Sequence, residues 1–125
     1  MTHRKPMRIK FTWVLAVVAI LLIAGYAYAK TQPKTDYAGF AQCLTEKGAV
    51  MYGAYWCSHC KAQKADFGDA FQYVNYVECT EDPDACTEAG IGGFPSWIID
   101  GQLYEGRQSF SRLSALTDCK LPSEG

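Results

Sequence analysis

Histidine is nearly absent from this 125-residue chain: His3 and His59 are the two it has. One pair of cysteines stands two residues apart, Cys57 and Cys60, and no second such pair follows. A structural zinc site wants four ligands, commonly from two such pairs. His3 lies on the far side of a long apolar run, and the spacing of Cys79 and Cys86 is not that of a zinc knuckle. No metal is therefore expected, and nothing else in the sequence asks for a cofactor. Acidic residues are missing before Asp36, while Arg4, Lys5, Arg8 and Lys10 are basic. From Lys30 onward the balance reverses to 8 Lys+Arg against 13 Asp+Glu, a net charge near -5. A domain of that sign is poorly suited to nucleic acid and reads as a solvated acidic surface. Internal repeats and low-complexity tracts are missing too.

What the opening segment has instead is length without charge. FTWVLAVVAILLIAGYAYA, Phe11 to Ala29, carries no charged residue until Lys30. A membrane-spanning helix needs about 20 apolar residues, and the run is just long enough. A cleavable export signal needs a basic start, a shorter apolar core and a small-x-small end. Phe11 to Ala24 fits that core, and Ala27-Tyr28-Ala29 fits that end. Residues 1–29 are accordingly read as a basic segment with a single-pass anchor or a signal, 30–36 as a linker, and 37–125 as one domain. Under either reading the basic residues stay inside, and the domain lies on the periplasmic or lumenal side of a membrane or is exported. Cys43, Cys57, Cys60, Cys79, Cys86 and Cys119 all follow the apolar run. An even number of cysteines in a small exported domain suggests disulfides, whose pairing the spacing alone does not choose.

The pattern of the domain alternates helix and strand. A helix is expected from Tyr37 to Lys47, closed by Gly48, and a buried strand from Ala49 to Ala54. After the CSHC stretch, Lys61 to about Tyr73 reads as a helix and Asn75 to Cys79 as a strand. Asp82 can cap a short helix with Pro83 at its first position, ending at Gly90. Ser96–Ile99 and Gln102–Glu105 flank Asp100-Gly101, a hairpin signal because both residues tolerate positive φ. A last helix begins near Ser109, with Phe110, Leu113 and Leu116 on one face. This order makes a mixed four-stranded α/β sheet with helices on both faces, preceded by the N-terminal hydrophobic helix.

The CxxC pair falls where a strand hands over to a helix. A helix N-terminus offers unpaired N–H groups and a positive dipole end, which stabilise a thiolate. Cys57 would sit there as the attacking thiol, with Trp56 shielding one side, and Cys60 would be the more buried resolving thiol. Ser58 and His59 place a hydroxyl and an imidazole near the sulfur. A stabilised thiolate favours the reduced pair, so the matching disulfide takes electrons readily. The other reading of His59 is an exposed loop residue. A structural disulfide at Cys57 and Cys60 would close too small a loop to constrain much of the unfolded chain. Pro95, in GGFPSW, precedes a strand, where a proline cannot donate to the ladder and a cis bond would make a sharp entry.

Strand, W-C-x-x-C, helix, then a late Pro before a hairpin resembles the thioredoxin family. The likeness runs from about Tyr37 to Cys119, and implies the thioredoxin-like fold, with Cys57 and Cys60 as active cysteines and Pro95 as the cis-proline. FAQCLTEKGAVMYGAYWCSHC, NYVEC and DGQLYEG resemble more closely the thioredoxin-like domain fused to bacterial and plant vitamin K epoxide reductase homologues. That resemblance implies a relay, in which exported protein thiols are oxidised and the electrons pass to a membrane reductase and a quinone. No such reductase domain follows here, so the partner would be a separate chain. Ordinary thioredoxins carry Gly-Pro between the cysteines and a buried aspartate six residues before the first. Ser58-His59 and Met51 occupy those places here, and the related relay domains commonly have Pro at the place of Ser58. The resemblance also suggests that Cys79 and Cys86 form a disulfide, a structural staple or a second exchange site. Cys43 and Cys119 remain, either as a pair or with one thiol free, on helices that could lie on opposite faces of the sheet. Tyr55, Trp56, Phe94 and Trp97 could line a groove for extended peptides or belong to the core.

The function expected is a thiol–disulfide oxidoreductase outside the cytoplasm that oxidises protein thiols. Cys57 and Cys60 carry it, His59, Trp56 and Pro95 assist, and Pro95 keeps the neighbouring backbone open to substrate and helps exclude metal. Its partners would be exported protein thiols or disulfides, and a membrane vitamin K epoxide reductase homologue. Two alternatives stand beside this reading: an extracytoplasmic disulfide reductase, and a non-catalytic metal-binding or docking module.

Overall fold

The computed structural model describes residues 10–31 and 35–122. They fall into two compact units divided between Lys34 and Thr35. The first is one helix, α1 (Phe11–Thr31), with none of its residues buried. At 1.5 Å per residue it is about 30 Å long, roughly the thickness of a bilayer's hydrocarbon core. By length and composition it can cross a membrane. Lys30 and Thr31, expected in the linker, continue this helix, and the Thr31 hydroxyl donates to the Tyr28 carbonyl at 3.0 Å. The basic Arg4, Lys5 and Arg8 lie outside the described residues, as do positions 32–34.

The second unit begins with α2 (Ala38–Glu46) and β1 (Val50–Gly53), then α3 (Ser58–Phe67) and a 3-10 turn (Gly68–Tyr73). β2 (Asn75–Glu78), α4 (Pro83–Glu88), β3 (Ser96–Ile99), β4 (Gln102–Glu105) and α5 (Phe110–Thr117) follow. The local causes are visible residue by residue. Asp82 caps α4 by accepting the Ala85 N–H at 3.1 Å, with Pro83 in the first turn, where its missing N–H costs nothing. Ser109 does the same for α5 through the Arg112 N–H at 3.2 Å. Asp100 and Gly101 hold φ values of 50° and 74°, the two positive values that a tight hairpin turn between β3 and β4 requires.

The expected helix from Lys61 to Tyr73 is corrected at both ends. It starts earlier, at Ser58, and it stops at Phe67, because Gly68 turns the chain with φ 57° and ψ -132°. The chain then finishes as a 3-10 turn.

The sheet order is β2-β1-β3-β4, with β1 parallel to β2 and antiparallel to β3. Met51 faces Trp97 across β1 and β3, and both are fully buried. Phe40 of α2, Phe67 of α3 and Phe110 of α5 form one aromatic cluster, with centroids 4.7–6.3 Å apart. Phe67 also lies 6.3 Å from Trp97. α2 and α5 therefore meet in one cluster rather than on opposite faces of the sheet, and a disulfide joins Cys43 to Cys119. A parallel β1–α3–β2 unit continued by an antiparallel β3–β4 hairpin and a closing helix is the thioredoxin-like α/β fold.

Candidate functional site

β1 ends at Gly53, and the chain turns through Tyr55 and Trp56 as the Cys57 N–H reaches back to the Ala54 carbonyl at 3.1 Å. Cys57 is the N-cap of α3, with extended backbone at φ -76° and ψ 120°. Its sulfur accepts the Cys60 N–H at 3.2 Å, and its carbonyl accepts the Lys61 N–H at 3.0 Å. A sulfur here does what a Ser or Asp oxygen usually does at a helix start. That is why the helix begins three positions before the expected Lys61, with Ser58 and His59 exposed on its first turn.

The two thiols differ in access. Cys57 is 7% exposed and Cys60 is 0% exposed. Burial, reinforced by the contact with Cys57, pushes the Cys60 thiol up to about 11. Both cysteines are unbonded, whereas Cys79–Cys86 and Cys43–Cys119 are disulfides. The Cys79 N–H donates to the Gly53 carbonyl at 2.8 Å, so that disulfide starts beside the strand end that leads into the CxxC turn.

Pro95 reaches the same end of the sheet. Tyr52 pairs with Ser96, so Gly53 and Pro95 are the next residues in line. Pro95 is fully buried, the Phe94–Pro95 peptide is cis, and the Pro95 carbonyl accepts the Gly106 N–H at 2.7 Å. The Trp56 ring meets Phe94 edge-on at 5.9 Å, which ties the CxxC turn to the proline loop. Tyr55 and Trp56 are exposed, at 66% and 59%. Trp97 is not part of any groove: it is buried, and its indole N–H donates to Gln63 Oε1 at 3.1 Å. The expected aromatic groove is thus limited to Tyr55, Trp56 and the half-buried Phe94.

Gly53, Tyr76 and Glu78 lie within stretches that carry the sequence resemblance, but the sequence alone assigns them no role. Tyr76 donates its phenol O–H to Glu78 Oε1 at 3.3 Å. Burial, and then the neighbouring Glu78 carboxylate, raise the Tyr76 phenol above its ordinary range. Lys64 Nζ lies over the same ring, 4.0 Å from its centroid. Gly53 separates Tyr76 from Cys60: a Cβ there would fall 3.0 Å from Cys60 Sγ and 3.2 Å from the Tyr76 oxygen. The signal was present as alternation, since Tyr76 and Glu78, two apart on a strand, share a side. Among the described residues, no cluster of three His, Cys, Asp or Glu side chains could hold a metal ion.

No family model matches the chain. It is 42% identical over 107 residues to the thiol-disulfide oxidoreductase LTO1 of Arabidopsis thaliana, covering 75% of this chain and 28% of that protein. A putative protein disulfide-isomerase of Schizosaccharomyces pombe is 32% identical over 73 residues, covering 51% of this chain and 15% of that one. The chain thus spans less than a third of the length of either relative. The first thioredoxin domain of mouse protein disulfide-isomerase A4 superposes with a TM-score of 0.42 at 20% identity, covering 69% of this chain and 76% of that domain.

Proposed function

We propose that this chain is a thiol–disulfide oxidoreductase that oxidises protein thiols outside the cytoplasm. One observation carries the reading. Of the six cysteines, Cys57 and Cys60 alone are unbonded, and they sit at the start of α3, where a backbone N–H points at the Cys57 sulfur. The names of the plant and yeast relatives support thiol–disulfide exchange chemistry.

In the oxidising cycle a substrate thiolate attacks Cys57 Sγ of the Cys57–Cys60 disulfide. The S–S bond breaks, Cys60 leaves as a thiolate, and a Cys57–substrate mixed disulfide forms. A second substrate thiolate then attacks the substrate sulfur of that bond. The substrate leaves with its own disulfide, and Cys57 and Cys60 keep the two electrons as a dithiol. Charge that develops on Cys57 meets the Cys60 N–H at the helix start. Trp56 and Phe94 flank the attack position, Pro95 presents backbone without an N–H beside it, and His59 offers an imidazole on the exposed turn. One feature favours the oxidising direction: Met51, fully buried, stands where the reducing thioredoxins carry an acid. α1 supports the location, since it suits a protein held at or sent across a membrane. The dithiol would be reoxidised by a membrane partner, for which a vitamin K epoxide reductase homologue is the choice the sequence resemblance implies.

The test is the reduction potential of the Cys57/Cys60 pair together with oxidation of a reduced, unfolded substrate. The proposal expects a potential well above thioredoxin's, which is roughly -270 mV. Cys57→Ser should abolish turnover, and Cys60→Ser should accumulate a mixed disulfide. A potential near that of thioredoxin would reverse the direction. Equal activity in wild type and Cys57→Ser would remove the enzyme reading altogether.

A further inference from the structure

We propose that Tyr76 and Glu78 form the proton path of Cys60, carrying its proton between the buried sulfur and solvent during disulfide exchange. This rests on the oxidoreductase reading of Cys57 and Cys60. The need for such a path follows from burial. Cys60 must lose a proton to attack a mixed disulfide at Cys57, and it must regain one after leaving, yet its side chain has no contact with solvent. Burial already holds its thiol near 11, so at neutral pH a base has to take the proton as the bond forms. On the side that meets Cys60, β1 supplies no such base: Met51 is apolar and Gly53 brings only backbone, while Tyr52 alternates to the other side of the strand.

The neighbouring strand does supply one. The Cys60 sulfur and the Tyr76 oxygen both come within 3.2 Å of the place a Cβ on Gly53 would take. They therefore border one small gap, kept open by the glycine. From there the Tyr76 O–H points at Glu78 Oε1 at 3.3 Å. The other Glu78 oxygen accepts the N–H of exposed Thr80 at 3.4 Å, so the carboxylate reaches the surface. The titratable and charged groups facing this gap are Cys57 and Lys64 from α3, and Tyr76 and Glu78 from β2. The Lys64 ammonium lies over the Tyr76 ring, where its charge favours a thiolate on Cys60.

The step balances without any outside reagent. The Cys60 S–H proton moves to the Tyr76 oxygen, directly or across one water, as the Tyr76 proton moves to the Glu78 carboxylate. The phenol ends as it began, Glu78 becomes a carboxylic acid, and Cys60 becomes a thiolate. Its electron pair attacks Cys57 Sγ, the Cys57–Cys60 bond forms, and the substrate sulfur leaves as a thiolate. Glu78 then loses its proton to water. In the reverse direction the same path returns a proton to Cys60 as it leaves. The raised phenol keeps Tyr76 protonated across working pH, as a two-sided carrier requires.

The experiment uses the full chain, reduced at Cys57 and Cys60, in detergent micelles. It is mixed with an aromatic disulfide whose thiolate product is coloured. The first coloured thiolate reports attack by Cys57, and the second reports attack by Cys60 on the mixed disulfide. The readout is the ratio of the second rate to the first between pH 6 and 10. Tyr76→Phe keeps the ring under Lys64, and Glu78→Gln keeps the shape of the carboxylate. Both should lower the ratio at least about tenfold at pH 7, with the deficit closing as pH approaches the range where Cys60 ionises by itself. A ratio in Tyr76→Phe within about twofold of wild type overturns the path. So does a deficit of equal size at every pH, which marks a packing defect. A wild-type protein that releases no second thiolate fails the oxidoreductase reading itself.

Discussion

Gly53 stands directly against Cys60: a Cβ built on the glycine would lie 3.0 Å from the Cys60 sulfur. The same Cβ would crowd the Tyr76 ring and oxygen at 3.2 Å. β1 can therefore pass beneath the first turn of α3 only where it has no side chain. Gly53→Ala should destabilise the reduced protein by about 1–3 kcal/mol, the usual cost of overpacking. It should also slow closure of the Cys57–Cys60 disulfide, because the sulfur is among the atoms displaced. Urea denaturation and the rate of closure by an excess of oxidised glutathione measure the two effects. An alanine variant with wild-type stability and closure would mean that the gap yields without strain.

Burial of Cys60 also sets a pH dependence. Its thiol rises from 9.0 to about 11 on folding, so the folded state favours the protonated form. The resulting stability is fully present below about pH 9 and is lost as pH climbs through 11. The total is of the order of 2 kcal/mol. Denaturation of the reduced protein at pH 8 and pH 11, compared with Cys60→Ala, isolates it from lysine and tyrosine titration elsewhere. Wild type should lose more stability than the variant over that interval. Parallel losses would show that the Cys60 thiol is solvated before the chain unfolds.

Much of this fold was legible where local chemistry acts alone. The β3–β4 hairpin follows from Asp100 and Gly101, and α4 from Asp82 and Pro83, because a turn or a cap involves only its neighbours. The start of α3 was legible in part: Cys57 is expected at a helix N-terminus and is its cap, but the expected helical range begins at Lys61, because sequence rules do not count a sulfur among caps. Trp97 stood open between groove and core, and the fold decides for the core, with Gln63, 34 residues away, against its indole N–H. The meeting of Phe40 with Phe110 is likewise tertiary, and with it the Cys43–Cys119 pairing. At the site, the CxxC and Pro95 announced themselves as motifs. Tyr76, Glu78 and Gly53 matter only through where the strands bring them.

The two disulfides should differ in weight. Cys43 and Cys119 close a loop with a sequence separation of 76, and Cys79 and Cys86 one of 7. In the chain-entropy description the longer loop stabilises by about 4 kcal/mol and the shorter by about 2 kcal/mol. Replacing both members of each pair with alanine, followed by denaturant unfolding, compares them. The Cys43 and Cys119 variant should lose more stability. If the Cys79 and Cys86 variant lost more, its bridge would be holding the β2–α4 junction beside Gly53 rather than merely shortening the unfolded chain.

Gln63 links three elements behind the site. Its side chain is fully buried on α3, yet every polar atom has a partner. Oε1 accepts the Trp97 indole N–H at 3.1 Å and the Gln108 backbone N–H at 2.7 Å. Nε2 donates to the Gln108 carbonyl at 3.1 Å and to Asp66 Oδ2 at 3.4 Å. One amide thus joins α3, the buried tryptophan of β3 and the loop after β4. The Asp66–Arg107 ion pair nearby is exposed and screened by water, so it holds this loop far less firmly. Gln63→Leu keeps the volume but strands the indole N–H and both Gln108 backbone groups. It should cost about 3 kcal/mol, since an unpaired buried donor or acceptor loses its full hydration. Trp97 fluorescence and denaturant unfolding report the change, and Gln63→Glu should restore only part of it, because a carboxylate accepts both N–H groups but cannot donate to the Gln108 carbonyl. A leucine variant as stable as wild type would mean that water reaches these groups, and that the contact between α3 and β3 is apolar packing alone.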